Sequence, residues 1–148
     1  MKTKLNTLLP YKIANITKLK RHLMDREMKD LSLSRTQWQT LAWISILQTP
    51  CTQQALLKAL ELDRAQLARV LEQLDKKEII TRAQLPKDRR SLEINLTKKG
   101  EDLLIKVNDI MHNEAVVMSK GLSAADKKLL DIILDKMTSN LMTELGSN

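Results

Sequence analysis

Two short runs in this chain hold side chains suited to hydrogen-bonding a polyanion. Arg64, Gln66 and Arg69 fall within a single helical segment. A guanidinium grips guanine O6 and N7 with two parallel hydrogen bonds, and a Gln amide pairs in the same way with adenine. The second run, Asp88-Arg89-Arg90, ends the sequence Pro86-Lys87-Asp88-Arg89-Arg90, which has Pro and Asp at turn-favouring places. Arginines on a thin hairpin suit the minor groove of DNA, where the potential is most negative. Asp88 is spaced to hold Arg90 extended through a charge-assisted hydrogen bond. Each run also fits a plainer description: a solvated helix face in the first case, a soluble turn in the second.

Position gives these residues more meaning than type alone. Asp63 with Gln66 has capping-box spacing, so a helix starts at Arg64. Leu67, Val70, Leu71 and Leu74 form its apolar stripe, and Arg64, Gln66, Arg69, Gln73 and Lys76 fall mainly off it. Just before it lies a short helix capped by Thr52 and ending near Leu60, with Ala55, Leu56 and Ala59 inward. Two short helices joined by a tight turn describe a helix-turn-helix. After Lys77 the period changes to that of strands, over Ile79–Ala83 and Leu92–Leu96. The basic turn lies between them, so a hairpin with a basic tip follows the polar helix directly, as a wing.

The flanking segments read as helices. Leu9, Ile13, Ile16, Leu19 and Leu23 mark one face of a helix over about residues 9–30. Ser34 with Gln37 opens the next, with Trp38, Leu41, Ile44 and Ile46-Leu47 apolar, and Thr49-Pro50 ends it. Thr97 caps a long helix ending at Gly121, and Ser123 with Asp126 caps the last. That last helix carries Leu129, Leu130, Ile133, Leu134, Met137 and Leu141. The terminal helices hold more apolar surface than so small a domain can cover, which predicts packing against a second copy. The fold class expected is mainly α with a small β-hairpin wing: a single domain over 1–148. Residues 34–100 form the DNA-binding lobe, and 1–33 and 101–148 the dimerisation helices.

Composition agrees. The net charge is +7, and it is uneven: residues 63–100 carry ten Lys/Arg against six Asp/Glu, whereas 101–148 carry five Lys against eight Asp/Glu. One face is thus fitted to a polyanion and another kept for something else, although an ordinary solvated basic surface has the same totals. With 43% hydrophobic residues but 2% aromatics and no Phe, Leu, Ile, Val and Met must fill the core. No run of eighteen apolar residues predicts a membrane span, and the N-terminus lacks a signal-peptide apolar region. A cytoplasmic protein with no membrane partner is expected.

Other residues point elsewhere less well. Cys51 has no His, Lys or Arg beside it to lower its pKa and is expected to be structural. His22 and His112 are too scattered for a metal site; His22, on a dimer helix, is the better placed for a ligand pocket. The Met residues, Met111, Met118, Met137 and Met142 among them, read as adaptable core. No Ser-His-Asp order, Gly-rich phosphate loop or Cys-His pairing supports catalysis. No enzyme, cofactor or metal is expected.

Asp88-Arg89-Arg90-Ser91, followed by Leu92-Glu93-Ile94-Asn95-Leu96-Thr97-Lys98-Lys99-Gly100, resembles the wing signature of the MarR family of bacterial regulators: Asp-x-Arg, a strand, then Leu-Thr-x-x-Gly. Leu62-Asp63-Arg64 through Leu71 is similar to that family's recognition helix. Leu33 through Leu41, with Trp38, is similar to the start of its second helix in the SlyA-like branch. The resemblance covers nearly the whole chain. It implies a triangular homodimer, a winged helix-turn-helix in each subunit and binding to inverted-repeat operators in double-stranded DNA. It also implies a small-molecule effector, often phenolic, between dimer helices and DNA-binding lobe. Arg90 would enter the minor groove with Asp88 positioning it, Arg89 would lie beside it, and Arg64, Gln66 and Arg69 would face the major groove or its phosphates. The chain departs from the family at Ala65, Gln66 and Ala68, where Ser or Thr is usual, and at Glu78, where Gly is usual. Those first departures motivate a second reading, a helical protein-interaction module that retains a winged-helix fold.

Overall fold

Pro10 lies in the first turn of α1 (Leu9–Lys29), where its missing N–H is no loss. The computed structural model describes residues 8–47, 50–85 and 88–146, with the side chains of 88–90 outside that description. Then come α2 (Arg35–Ile46), α3 (Gln53–Leu60), α4 (Arg64–Lys76), β1 (Ile80–Leu85), β2 (Asp88–Leu96), α5 (Lys98–Met118) and α6 (Ala124–Glu144). The described residues fall into two compact units, one ending at Glu114 and one starting at Ala115.

Local capping accounts for most of the helix starts. Ser34, Asp63 and Ser123 each accept from the backbone N–H three residues on, and Gln37, Gln66 and Asp126 reach back to complete capping boxes. Thr52 caps α3 alone, accepting from Ala55 N at 3.2 Å. Gly100 N donates to Thr97 Oγ1 at 3.1 Å, the expected cap of α5. Each such cap stabilises its helix by about 1 kcal/mol.

In the first unit, Met28, Leu41, Leu56, Leu67, Leu71, Leu74, Ile80, Ile94 and Val107 are fully buried. Burial of each contributes roughly 1.5–3 kcal/mol. The core therefore lies under α4 and the hairpin and holds the polar face of α4 outward. The buried residues of α1 are Met24 and Met28, whereas Leu9, Ile16 and Leu19 are exposed. Only the C-terminal end of α1 reaches the core of this unit, so its apolar stripe stays uncovered.

The hairpin differs from the sequence expectation. β1 and β2 are antiparallel, pairing Ile80 with Leu96 through Gln84 with Leu92; after a register shift, Leu85 pairs with Asp88. Pairing therefore runs beyond Leu92, and the backbone of Asp88, Arg89 and Arg90 opens β2 instead of lying in the turn. The β2 strand also holds the entry to α3: Ile94 N donates to Cys51 O at 2.8 Å, and Thr52 bridges Glu93.

In the second unit, Gly121 takes a positive φ of 82° between the two helices. α6 has no buried residue, and Leu129, Leu130, Ile133, Leu134 and Leu141 are all exposed. Among the described residues, no helix is long and apolar enough to cross a membrane.

Candidate nucleic-acid interface

The turn between α3 and α4 is tight because Glu61 adopts a left-handed conformation, φ 53°, at the end of α3. Asp63 then starts α4 through its Oδ1, which accepts from Gln66 N at 2.7 Å. With Leu67, Val70, Leu71 and Leu74 buried, the opposite side of the helix must face out. Arg64, Gln66 and Arg69 are exposed there, together with Ala65 and Ala68. All three polar residues are thus exposed on the second helix of a helix-turn-helix, Gln66 and Arg69 about one turn apart.

Gln66 has a second task that the base-reading expectation left out. Its Oε1 accepts from Asp63 N at 3.1 Å. The amide oxygen is committed to the cap, and Nε2 is the group left to donate outward. A two-bond grip on adenine needs both atoms, so in this arrangement Gln66 presents one donor, suited to a single acceptor such as a base carbonyl or ring nitrogen.

A cavity of about 240 Å³ adjoins Arg64, lined also by Thr52, Gln53, Gln54, Leu57, Ser91 and Leu92. It joins the first turn of α3 to the start of α4 and to β2. Gln53 and Gln54 were not singled out from the sequence. Their place here depends on the Thr52–Glu93 bridge, which no local periodicity announces.

The far end of α4 is fastened by several groups. Ile79 N donates to Leu74 O at 2.9 Å and Glu78 N to Asp75 O at 2.8 Å, with Glu78 at φ 56°. This is a Schellman cap with a non-glycine residue at its left-handed position. Thr97 Oγ1 donates to Glu78 O at 2.7 Å, Lys99 Nζ to Lys77 O at 2.7 Å and Lys77 Nζ to Ser32 O at 3.1 Å. Arg82 on β1 pairs with Asp75 on α4, its Nε 3.0 Å from Oδ2. Gln37 on α2 donates from Nε2 to Gln73 Oε1 on α4 at 2.9 Å. α4 is therefore held by α2, β1 and the start of α5.

Arg35 at the start of α2 hydrogen-bonds Asp25 on α1 with both Nε and a terminal nitrogen. That bond, more than the charge itself, holds the Asp25 carboxyl below its usual range. Cys51 is buried, and burial first, then the Glu93 carboxylate, pushes its thiol pKa up. A thiol so placed is a weak nucleophile. His22 and His112 are both exposed. Met24 and Met28 are core methionines, while Met118 and Met142 are exposed. The side chains of Asp88, Arg89 and Arg90, and with them the expected Asp88–Arg90 pairing, lie outside the described residues.

Residues 33–92 match the family model described as MarR family. That segment runs from the end of the α1–α2 connection through the helix-turn-helix into β2. Among solved structures, the chain is similar to S. aureus MepR in a DNA complex, at 23% identity and a TM-score of 0.80, covering 90% of this chain and 98% of that one. A mutant E. coli MarR complexed with operator DNA matches at 23% identity and a TM-score of 0.74, covering 92% and 99%. Bordetella bronchiseptica BpsR, whose DNA binding is regulated by 6-hydroxynicotinic acid, matches at 20% identity and a TM-score of 0.76, covering 93% and 98%. Helix order, hairpin placement and these likenesses together give this chain the winged helix-turn-helix fold of the MarR-family structures.

Proposed function

We propose that this chain is a MarR-family, sequence-specific DNA-binding transcriptional regulator that acts as a cytoplasmic homodimer and not as an enzyme. The observation that carries the reading is the capped α4 helix, which turns Arg64, Gln66 and Arg69 outward and runs directly into the hairpin. Its family match and its likeness to structures of DNA complexes support it. Trp38 supports placing it in the SlyA-like branch. Two copies related by a two-fold axis would set the α4 helices about 34 Å apart, one turn of DNA, on an inverted-repeat operator. The uncovered apolar residues of α1 and α6 supply surface for that pairing.

A small aromatic effector is part of the proposal, by analogy with BpsR. A cavity of about 190 Å³ between α1 and α2 offers a place for its acidic group. Lys20, Arg21 and Arg35 line it with Trp38, and so does Asp25, which is paired with Arg35.

The test is fluorescence anisotropy on DNA from upstream of the chain's own gene and on genomic fragments, against scrambled controls, across a salt series. Selective binding whose logarithm falls linearly with log salt is the expected result. Arg90→Ala should weaken binding on every sequence by about 1–3 kcal/mol. An unchanged affinity would remove Arg90 from the interface. Equal, weak binding to all DNAs would favour the protein-interaction reading.

A further inference from the structure

Gln37 is a polar side chain in an apolar core, only 6% exposed, and both ends of its amide are used. Oε1 accepts from Ser34 N at 3.0 Å, closing the capping box of α2. Nε2 donates to Gln73 Oε1 on α4 at 2.9 Å, across 36 residues of sequence. Ser34 N is only a donor, so the amide oxygen must face it and the nitrogen must face Gln73. The amide has one orientation, and α4 is tied to the N-terminus of α2 through it.

Gln73 shares a helical face with two of the exposed polar residues. Gln66, Arg69 and Gln73 stand at spacings of three and four, so they lie on one side of α4. Beneath them, Leu67, Val70, Leu71 and Leu74 hold the helix by apolar burial, which has no direction of its own, while the Arg82–Asp75 pair and the bonds of the C-terminal cap fasten its far end. A hydrogen bond does have direction. A turn of about 20° moves a side-chain tip at roughly 6 Å radius by about 2 Å, beyond the range of a base contact.

We infer that Gln37 is a positioning residue for sequence reading: through Gln73, and with the Arg82–Asp75 pair, it fixes the rotation of α4, and thereby which base edges Arg64, Gln66 and Arg69 meet. This rests on the DNA-binding reading above.

The experiment compares wild type, Gln73→Met and Gln73→Glu on the best operator and on its single-base variants, at several salt concentrations. Gln73→Met removes the cross-helix bond, keeps the length of the side chain and leaves the Ser34–Gln37 cap intact. Gln73→Glu keeps an acceptor for Gln37. Discrimination between the operator and its variants should fall about tenfold in Gln73→Met, the loss of one base contact. Its salt slope should be unchanged, because that slope counts phosphate contacts. Gln73→Glu should recover most of the discrimination. A Gln73→Met variant that discriminates like wild type, or that loses affinity equally on every DNA, overturns the inference while the DNA-binding reading stands. A wild type with no sequence preference removes both.

Discussion

A β-carbon added to Gly100 would lie 2.1 Å from the carbonyl oxygen of Ile79. Real contacts of that kind do not occur, so the α5 helix can approach the end of α4 only with glycine there. This gives the Leu-Thr-x-x-Gly run a physical reason: Thr97 caps α5 and binds the Glu78 carbonyl, and Gly100 lets the two backbones meet. Gly100→Ala should destabilise the fold by about 3 kcal/mol, the upper end of overpacking costs, as read by denaturant midpoint. An unchanged midpoint would mean that α5 has room to shift. Glu78 presents the opposite case. It holds a left-handed φ of 56° that costs a side-chain-bearing residue about 1 kcal/mol or more. Glu78→Gly should therefore raise stability by about 0.5–1 kcal/mol, after the extra freedom of glycine in the unfolded chain is subtracted. A lower melting temperature would argue that the Glu78 side chain contributes something the backbone accounting leaves out.

At the scale of elements, the join between α1 and α2 has an acid-sensitive part. Arg35 hydrogen-bonds Asp25 and lowers its carboxyl below the ordinary 3.8. A depressed folded-state pKa means that the bond contributes fully above the unfolded value and is lost as pH falls through the folded one. Thermal melts of wild type and Asp25→Asn should therefore differ by a constant amount above about pH 5 and converge below the ordinary carboxylate value. A gap that persists to pH 2 would mean that Asp25 acts by packing instead of charge. Since the pair is exposed, the gap itself should be small. The Gln37–Gln73 join between α2 and α4 is made by two amides, which carry no titratable group. It should hold where the Asp25 link fails.

At the scale of the whole molecule, the uncovered apolar surface is the dominant fact. Leu9, Ile16 and Leu19 on α1 are each more than half exposed, and Leu129, Leu130, Ile133, Leu134 and Leu141 on α6 stand at 43–65%. Monomeric proteins rarely leave such surface open. Sedimentation velocity should show a dimer at micromolar concentration, with a melting temperature that rises with concentration. Leu130→Asp with Ile133→Asp should shift the protein to monomer and weaken operator binding, since two half-sites would no longer be engaged together. A wild type that sediments as a monomer at high concentration would overturn the dimer proposal.

The sequence by itself determined what depends on neighbours three and four residues away. The capping boxes at Ser34, Asp63 and Ser123, the apolar stripe of α4 and the hairpin after it all follow from such spacing, because helix and strand periods are local. The outward placement of Arg64, Gln66 and Arg69 follows from that stripe. Tertiary structure alone decided the rest. It placed the backbone of Asp88 to Arg90 within β2, because strand pairing continued past Leu92 to Leu85. It left the stripe of α1 open and buried Met24 and Met28 in its place. It turned Gln73 toward Gln37. Contacts such as Gln37 with Gln73, or Gly100 with Ile79, join residues far apart in the chain. They form only once the apolar stripes have packed, so no window of sequence contains them.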